Sequence, residues 1–146
     1  MTLPFIPDLK INNIYELDAD ILKEMGVTLL LSDLDNTIAT YENEVPDEKM
    51  QAWADELKEK GITLVIISNN KEARVSKFCK PFGTDFFWKS KKPSRKTIRR
   101  IMEKYGATPE TTALIGDKIV TDIIGAKRSG VFAIKVPPLG KRRMFE

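Results

Sequence analysis

Short runs rich in leucine and β-branched residues alternate along the chain with longer stretches in which apolar residues recur every three to four positions. Val27 to Leu31 and Ile62 to Ile67 lack the polar alternation of a half-exposed strand, so each predicts a buried strand covered on both faces. Asp85 to Trp88, Thr112 to Ile115 and Val131 to Val136 predict three more, the first of them short. Between these runs, Met50, Trp53, Ala54 and Leu57 follow the i, i+3, i+4, i+7 spacing of a one-sided helix. Val75, Phe78, Cys79 and Phe82 do the same, as do Ile98, Ile101, Met102 and Tyr105. Pro46 suits the first turn of one helix, and Gly61, Gly83, Gly106 and Gly130 stand where helix C-termini favour a residue tolerant of positive φ. The alternation predicts an α/β fold, a mostly parallel five-stranded sheet with helices on both faces joined by right-handed crossovers. In such sheets ligands lie beyond the carboxyl ends of the strands.

The residues that follow those ends carry the candidate chemistry. After the first strand comes Ser32-Asp33-Leu34-Asp35-Asn36-Thr37, which sends two carboxylates toward one mouth, although Asp and Asn are also ordinary turn formers. After the second comes Ser68-Asn69-Asn70, a small hydroxyl and two amides that equally suit an N-cap for a helix beginning near Lys71. Lys92-Pro93 follows the third strand, within a run that can equally be plain solvated surface. Gly116-Asp117-Lys118-Ile119-Val120-Thr121-Asp122 follows the fourth, with one acid at the strand tip and another near the start of the next helix. Each motif alone has a bland explanation, but the ordered set at successive strand ends does not.

Composition narrows the chemistry. A chain of 146 residues with 42% apolar and 31% charged residues is one globular domain. With no histidine, Ser-His-Asp and Cys-His catalysis and His-based zinc sites are excluded, so carboxylates and lysines must carry any reaction. The single cysteine, Cys79, excludes an internal disulfide and any CxxC chemistry, and points to a reducing compartment. No basic region followed by an apolar run opens the chain, and no apolar stretch approaches the ~20 residues that span a bilayer. The expectation is a cytoplasmic protein, or one peripheral to the inner face of the membrane. Net charge is only +3, yet Lys89, Lys91, Lys92, Arg95, Lys96, Arg99 and Arg100 fall in an acid-free stretch, and Lys141-Arg142-Arg143 adds a basic tail. Nucleic-acid binding is not expected from that balance. An anionic membrane surface is one reading of the basic run and ordinary helix solvation the other.

The order DxDxT, Ser, Lys-Pro, GDxxxxD resembles the four motifs of the haloacid dehalogenase (HAD) superfamily of phosphatases, across nearly the whole chain. The wording "SDLDNT", "ISNN", "KSKKP" and "IGDKIVTDI", with the lead-in Ile14-Tyr15-Glu16-Leu17 and Gly26-Val27, is similar to the YqeG-like group of HAD subfamily IIIA, which includes mitochondrial phosphatidylglycerophosphate phosphatases. The resemblance implies a Rossmann-like HAD core and a phosphomonoester hydrolase working through an aspartyl-phosphate. It makes Asp33 the nucleophile and Asp35 the acid that protonates the leaving oxygen and then activates water. Ser68, Asn69 and Lys92 would bind the transferring phosphoryl group, Lys92 being preferred to Lys91 because it directly precedes the proline. Four clustered acids demand a counter-ion, and Mg²⁺ would be held by Asp33, the Asp35 carbonyl, Asp117 and Asp122, the last directly or through water.

Neither the gap from Thr37 to Pro46 nor that from Ser68 to Lys92 has room for a cap domain, so the mouth is expected to be open to a large substrate. The resulting expectation is a single capless domain with an N-terminal strap (1–26), a core (27–136) and a basic tail (137–146). Its expected activity is Mg²⁺-dependent dephosphorylation of phosphatidylglycerophosphate to phosphatidylglycerol. The alternatives are a broad-specificity or phosphoprotein phosphatase, a phospho-acceptor switch, which the second acid of DxD argues against, and an anionic-surface binding module. Oligomeric state is left open.

Overall fold

The computed structural model describes residues 6–40, 42–88, 95–118 and 122–139. Strands β1 (Leu9–Lys10), β2 (Leu29–Ser32), β3 (Thr63–Ile67), β4 (Asp85–Phe87), β5 (Thr112–Gly116) and β6 (Phe132–Lys135) form one sheet in the order β1-β6-β5-β2-β3-β4. Every pairing is parallel. Helices α1 (Ala19–Glu24), α2 (Glu48–Glu59), α3 (Glu72–Phe82), α4 (Arg95–Tyr105) and α5 (Ile124–Ser129) cover it. The expected Rossmann-like α/β architecture is present, with six strands where periodicity predicts five. The sixth is β1, whose two residues are too few to show any period. It is fastened by Asp8 N–H to Ala133 O at 2.8 Å and Ile11 N–H to Lys135 O at 2.9 Å. Asp8 adds its side chain, one oxygen on Lys127 Nζ and the other on the Ala133 N–H, both at 2.8 Å.

Strand alternation divides the core between two faces. Leu30, Leu64, Ile66, Ala113 and Ile115 pack with Leu22, Trp53, Leu57, Val75 and Phe78 of α1, α2 and α3. Leu29, Leu31, Val65, Ile67 and Leu114 pack with Ile98, Ile101, Met102 and Ala126 of α4 and α5. All three predicted helical stripes are therefore core-facing. Helix α2 starts just after Pro46 and not on it, because the Asp47 carboxylate accepts the Met50 N–H at 2.8 Å and makes Asp47 the N-cap. Gly83 and Gly130 end α3 and α5 at φ 77° and 76°, the left-handed conformation the sequence calls for there.

Topology positions the site. The chain leaves β2 for β3 on one side, and later crosses from β4 to β5 on the other, so β2 and β5 are neighbours whose following helices lie on opposite faces. A crevice opens between their carboxyl ends, which is where ligands bind in such sheets. Among the described residues no cap domain interrupts the route: residues 33–47 join β2 to α2 without a further helix or named strand, and only α3 and β4 stand between β3 and α4.

Candidate active site

Asp33 is the first residue beyond β2. Its N–H donates to Ile115 O at 3.1 Å, extending the pairing with β5 by one step and aiming its side chain into the crevice. The chain then turns back on itself. Asn36 adopts φ 64°, a left-handed conformation that asparagine tolerates better than most residues. Its N–H donates to Ala39 O at 2.6 Å, and the N–H groups of Thr37, Ile38 and Ala39 all converge on Leu34 O. Buried Leu34 and Ile38 anchor this turn in the core, while Thr37 Oγ1 donates to Asp117 Oδ1 at 3.3 Å.

Asp117 directly follows β5, and Asp122 lies two residues before α5, as the motif predicts. The Lys118 N–H donates to Asp122 Oδ2 at 3.0 Å, and the Asp122 N–H to Lys118 O at 3.1 Å. Asp122 is wholly buried against Gly116, whose missing side chain is essential. A Cβ there would fall well inside van der Waals contact with Cβ, Cγ and Oδ2 of Asp122. One carboxylate oxygen each from Asp33, Asp117 and Asp122 lies within 4.8 Å of the others. These residues are 8%, 2% and 0% exposed, so like charges are gathered out of water at considerable cost. Burial, and then the charge of Asp122, hold the Asp117 carboxyl above its ordinary pKa. Hard, convergent oxygen donors suit a divalent cation such as Mg²⁺.

Beside this cluster stands a second arrangement. Ser68 follows β3 and is buried, its N–H donating to Phe87 O at 2.9 Å and its Oγ accepting the Asn70 N–H at 3.0 Å. The Asn70 side-chain amide donates to Asp35 Oδ2 at 2.8 Å, so one residue bridges Ser68 and Asp35. Ser68 is thus no N-cap: α3 is entered through Lys71 without a side-chain cap. Asn69 is exposed at the same turn. Lys92, with Lys89, Lys91, Pro93 and the 141–143 tail, lies outside the described residues.

Four site residues carry no assignment from sequence. Asn70 and Thr37 sit inside the quoted motifs, where adjacency alone does not show whom they serve. Gly116 reads as part of a GD motif. Arg74 stands four residues before buried Phe78 on the edge of an apolar stripe, which is the signal that its side chain is not simply solvated.

A parallel α/β sheet with acids converging at its switch point and a buried hydroxyl beside them is an arrangement suited to phosphoryl transfer. Comparison with known proteins gives the family. Residues 5–130 match the family described as "Hydrolase: haloacid dehalogenase-like hydrolase", and the chain belongs to it. It is 36% identical over 141 residues to "Probable phosphatase YqeG" of Bacillus subtilis (strain 168), covering 97% of this chain and 82% of that protein. This places it with the YqeG-like group and makes it a phosphoric monoester hydrolase. Among solved structures, the cobalt-bound deoxy-D-mannose-octulosonate 8-phosphate phosphatase (YrbI) of Haemophilus influenzae shares the fold, with TM-score 0.63, 18% identity, and coverage of 76% of this chain and 70% of that one. So does the 3-deoxy-D-manno-octulosonate 8-phosphate phosphatase of Moraxella catarrhalis in complex with magnesium ion, phosphate ion and a KDO molecule, with TM-score 0.55, 21% identity, and coverage of 67% and 62%. Among the described residues no helix is long and apolar enough to cross a membrane.

Proposed function

We propose that this phosphatase is Mg²⁺-dependent, works through an aspartyl-phosphate on Asp33, and takes phosphatidylglycerophosphate as substrate. The observation that carries the mechanism is the buried triad of Asp33, Asp117 and Asp122 at the β2–β5 crevice. Asp33, the Asp35 carbonyl, Asp117 and Asp122 would hold the ion. When bound, Mg²⁺ neutralises the carboxylates and the phosphoryl oxygens. An Asp33 oxygen attacks phosphorus and the P–O bond to the alcohol breaks as Asp35 gives the departing oxygen its proton. Water then attacks the same phosphorus, passes a proton to the Asp35 carboxylate, and the Asp33–phosphate bond breaks. Ser68 Oγ and the Asn69 amide bind a phosphoryl oxygen in both halves, and the Lys92 ammonium balances the transferring charge.

The lipid substrate is supported by the capless mouth, which leaves space for a phosphate on a large body, and by exposed Arg95, Lys96, Arg99 and Arg100 on α4. Cations near an anionic leaflet contribute about 1 kcal/mol each, enough in number to orient a peripheral enzyme. Accordingly we read residues 1–26 as a strap, 27–136 as the catalytic core and 137–146 as a basic tail that adds to this attraction. A panel of phospholipid and soluble phosphomonoesters tests the assignment: phosphate release from phosphatidylglycerophosphate vesicles is expected to dominate. Release only from sugar or nucleotide phosphates discards the lipid. Asp33→Asn is expected to abolish turnover and acid-stable labelling by phosphorylated substrate, and undiminished turnover in that variant discards the mechanism.

A further inference from the structure

Arg74 makes more polar contacts than any reaction role assigned above would explain. Its Nε and one terminal nitrogen both donate to Asp35 Oδ1, at 3.2 and 2.9 Å. The same terminal nitrogen donates to Thr40 O at 2.9 Å, and the other to Asn43 O. Beneath it the guanidinium carbon lies 5.5 Å from the ring centroid of Phe78, which is fully buried. The two side chains of the ion pair are 16% and 11% exposed, so this contact is largely withdrawn from the screening that makes surface pairs weak. Arg74 therefore joins three things: the rigid core through Phe78, the carbonyls of Thr40 and Asn43, and a single oxygen of Asp35.

The division of labour on that carboxyl is the informative feature. Arg74 occupies Oδ1, while Oδ2 accepts one N–H from Asn70 and, among the described residues, no other hydrogen bond. A carboxyl that must carry a proton to and from a reacting oxygen needs one oxygen held and the other accessible. The side chain cannot rotate without breaking contacts to both Arg74 and Asn70. We propose that Arg74 is the positioning residue of the phosphatase site, locking Asp35 from α3 so that Oδ2 faces the leaving oxygen. The inference rests on Asp35 as proton carrier. Lysine cannot replace it, because one ammonium on a flexible stem does not span Asp35 Oδ1, Thr40 O and Asn43 O together.

The test separates positioning from mere support of the fold. An alkyl phosphate needs a proton on its leaving oxygen, whereas a nitrophenyl phosphate releases a stable anion without one. Arg74→Ala and Arg74→Lys are compared with the parent on both substrates by kcat/KM, which reports steps up to the first irreversible one. The expected loss is about 10²-fold on the alkyl phosphate for Arg74→Ala, the scale of a misplaced catalytic group, and under about tenfold on the nitrophenyl phosphate. Arg74→Lys is expected to fall between the parent and Arg74→Ala while keeping the same selectivity, and it serves as the reading if the alanine variant does not fold. Equal losses on the two substrates overturn the inference and leave Arg74 as structural support. Asp35→Asn runs in parallel: if that variant also fails to distinguish the two leaving groups, the reading of Asp35 itself falls, a result separate from a failure of Arg74 alone.

Discussion

Replacing Gly116 with alanine most directly tests the packing of the acidic cluster proposed to hold the metal. The added methyl has no room, since it would overlap Cβ, Cγ and Oδ2 of the wholly buried Asp122. Overpacking of this kind costs about 1–3 kcal/mol, and pushing Asp122 aside also forfeits its charged hydrogen bond from the Lys118 N–H, worth about 1.5–3 kcal/mol. The sum, roughly 2.5–6 kcal/mol, corresponds to a fall in Tm of roughly 5–20 °C for a domain of this size. Calorimetry without metal reads the stability, and a Mg²⁺ titration reads the cluster, whose affinity is expected to drop at least tenfold. The decisive arm is a double-mutant cycle. Asp122→Ala does not relieve the clash, because its Cβ is one of the clashing atoms, but Asp122→Gly removes all three. Gly116→Ala is therefore expected to be mild in the Asp122→Gly background, so that the coupling approaches the whole cost in the parent, roughly 2.5–6 kcal/mol. An unchanged cost in that background would refute the reasoning.

Two further outcomes follow from the same geometry. Saturating Mg²⁺ is expected to stabilise the protein by about 2.7 kcal/mol at ~100 times Kd, seen as a rise in Tm that Asp117→Asn abolishes; an unchanged shift in that variant contradicts the assigned cluster. Burial pushes the Cys79 thiol from 9.0 up to about 11, so the native protein should resist alkylation at neutral pH, with labelling tracking unfolding. The unfolded thiol ionises first as pH climbs, so this contribution to stability is full below pH 9 and is lost between 9 and 11. Fast stoichiometric labelling under native conditions would contradict it.

Much of this architecture is legible in the apolar pattern. Four of the longer strands and the three one-sided helices follow from the apolar pattern, because each carries a buried run or face, whereas β4 is exposed or half-buried throughout and is marked only by its aromatic residues. What escapes is short and held by particular contacts. Helix α1 has six residues and depends on the Asp18 cap to Ile21 N–H at 2.9 Å, and β1 has two residues and depends on Asp8. The same division runs through the site. Asp33 and Asp117 are readable because they directly follow strands whose ends must share one edge of a parallel sheet, and Asp122 because it stands five residues on, just before α5. Arg74 is not, since its meaning arises from approaching Asp35 across 39 positions of sequence, and Asn70 does so across 35. Gly116 is invisible in a different way: its contribution is an empty volume that only Asp122 fills.

The tether at Asp8 has a consequence for how the chain reaches this state. With β1 in place, β6 is capped along part of its flank, and among the described strands three-residue β4 is left as the bare margin at the other end of the sheet. A molecule in which residues 8–11 have not yet docked offers Phe132–Lys135 as a second open ladder, ready to recruit a strand from another chain. The dipeptide at residues 9 and 10 is thus a guard against sticking together during folding, and a truncation that removes Asp8 should be recovered from expression as precipitate even though every reacting carboxylate remains.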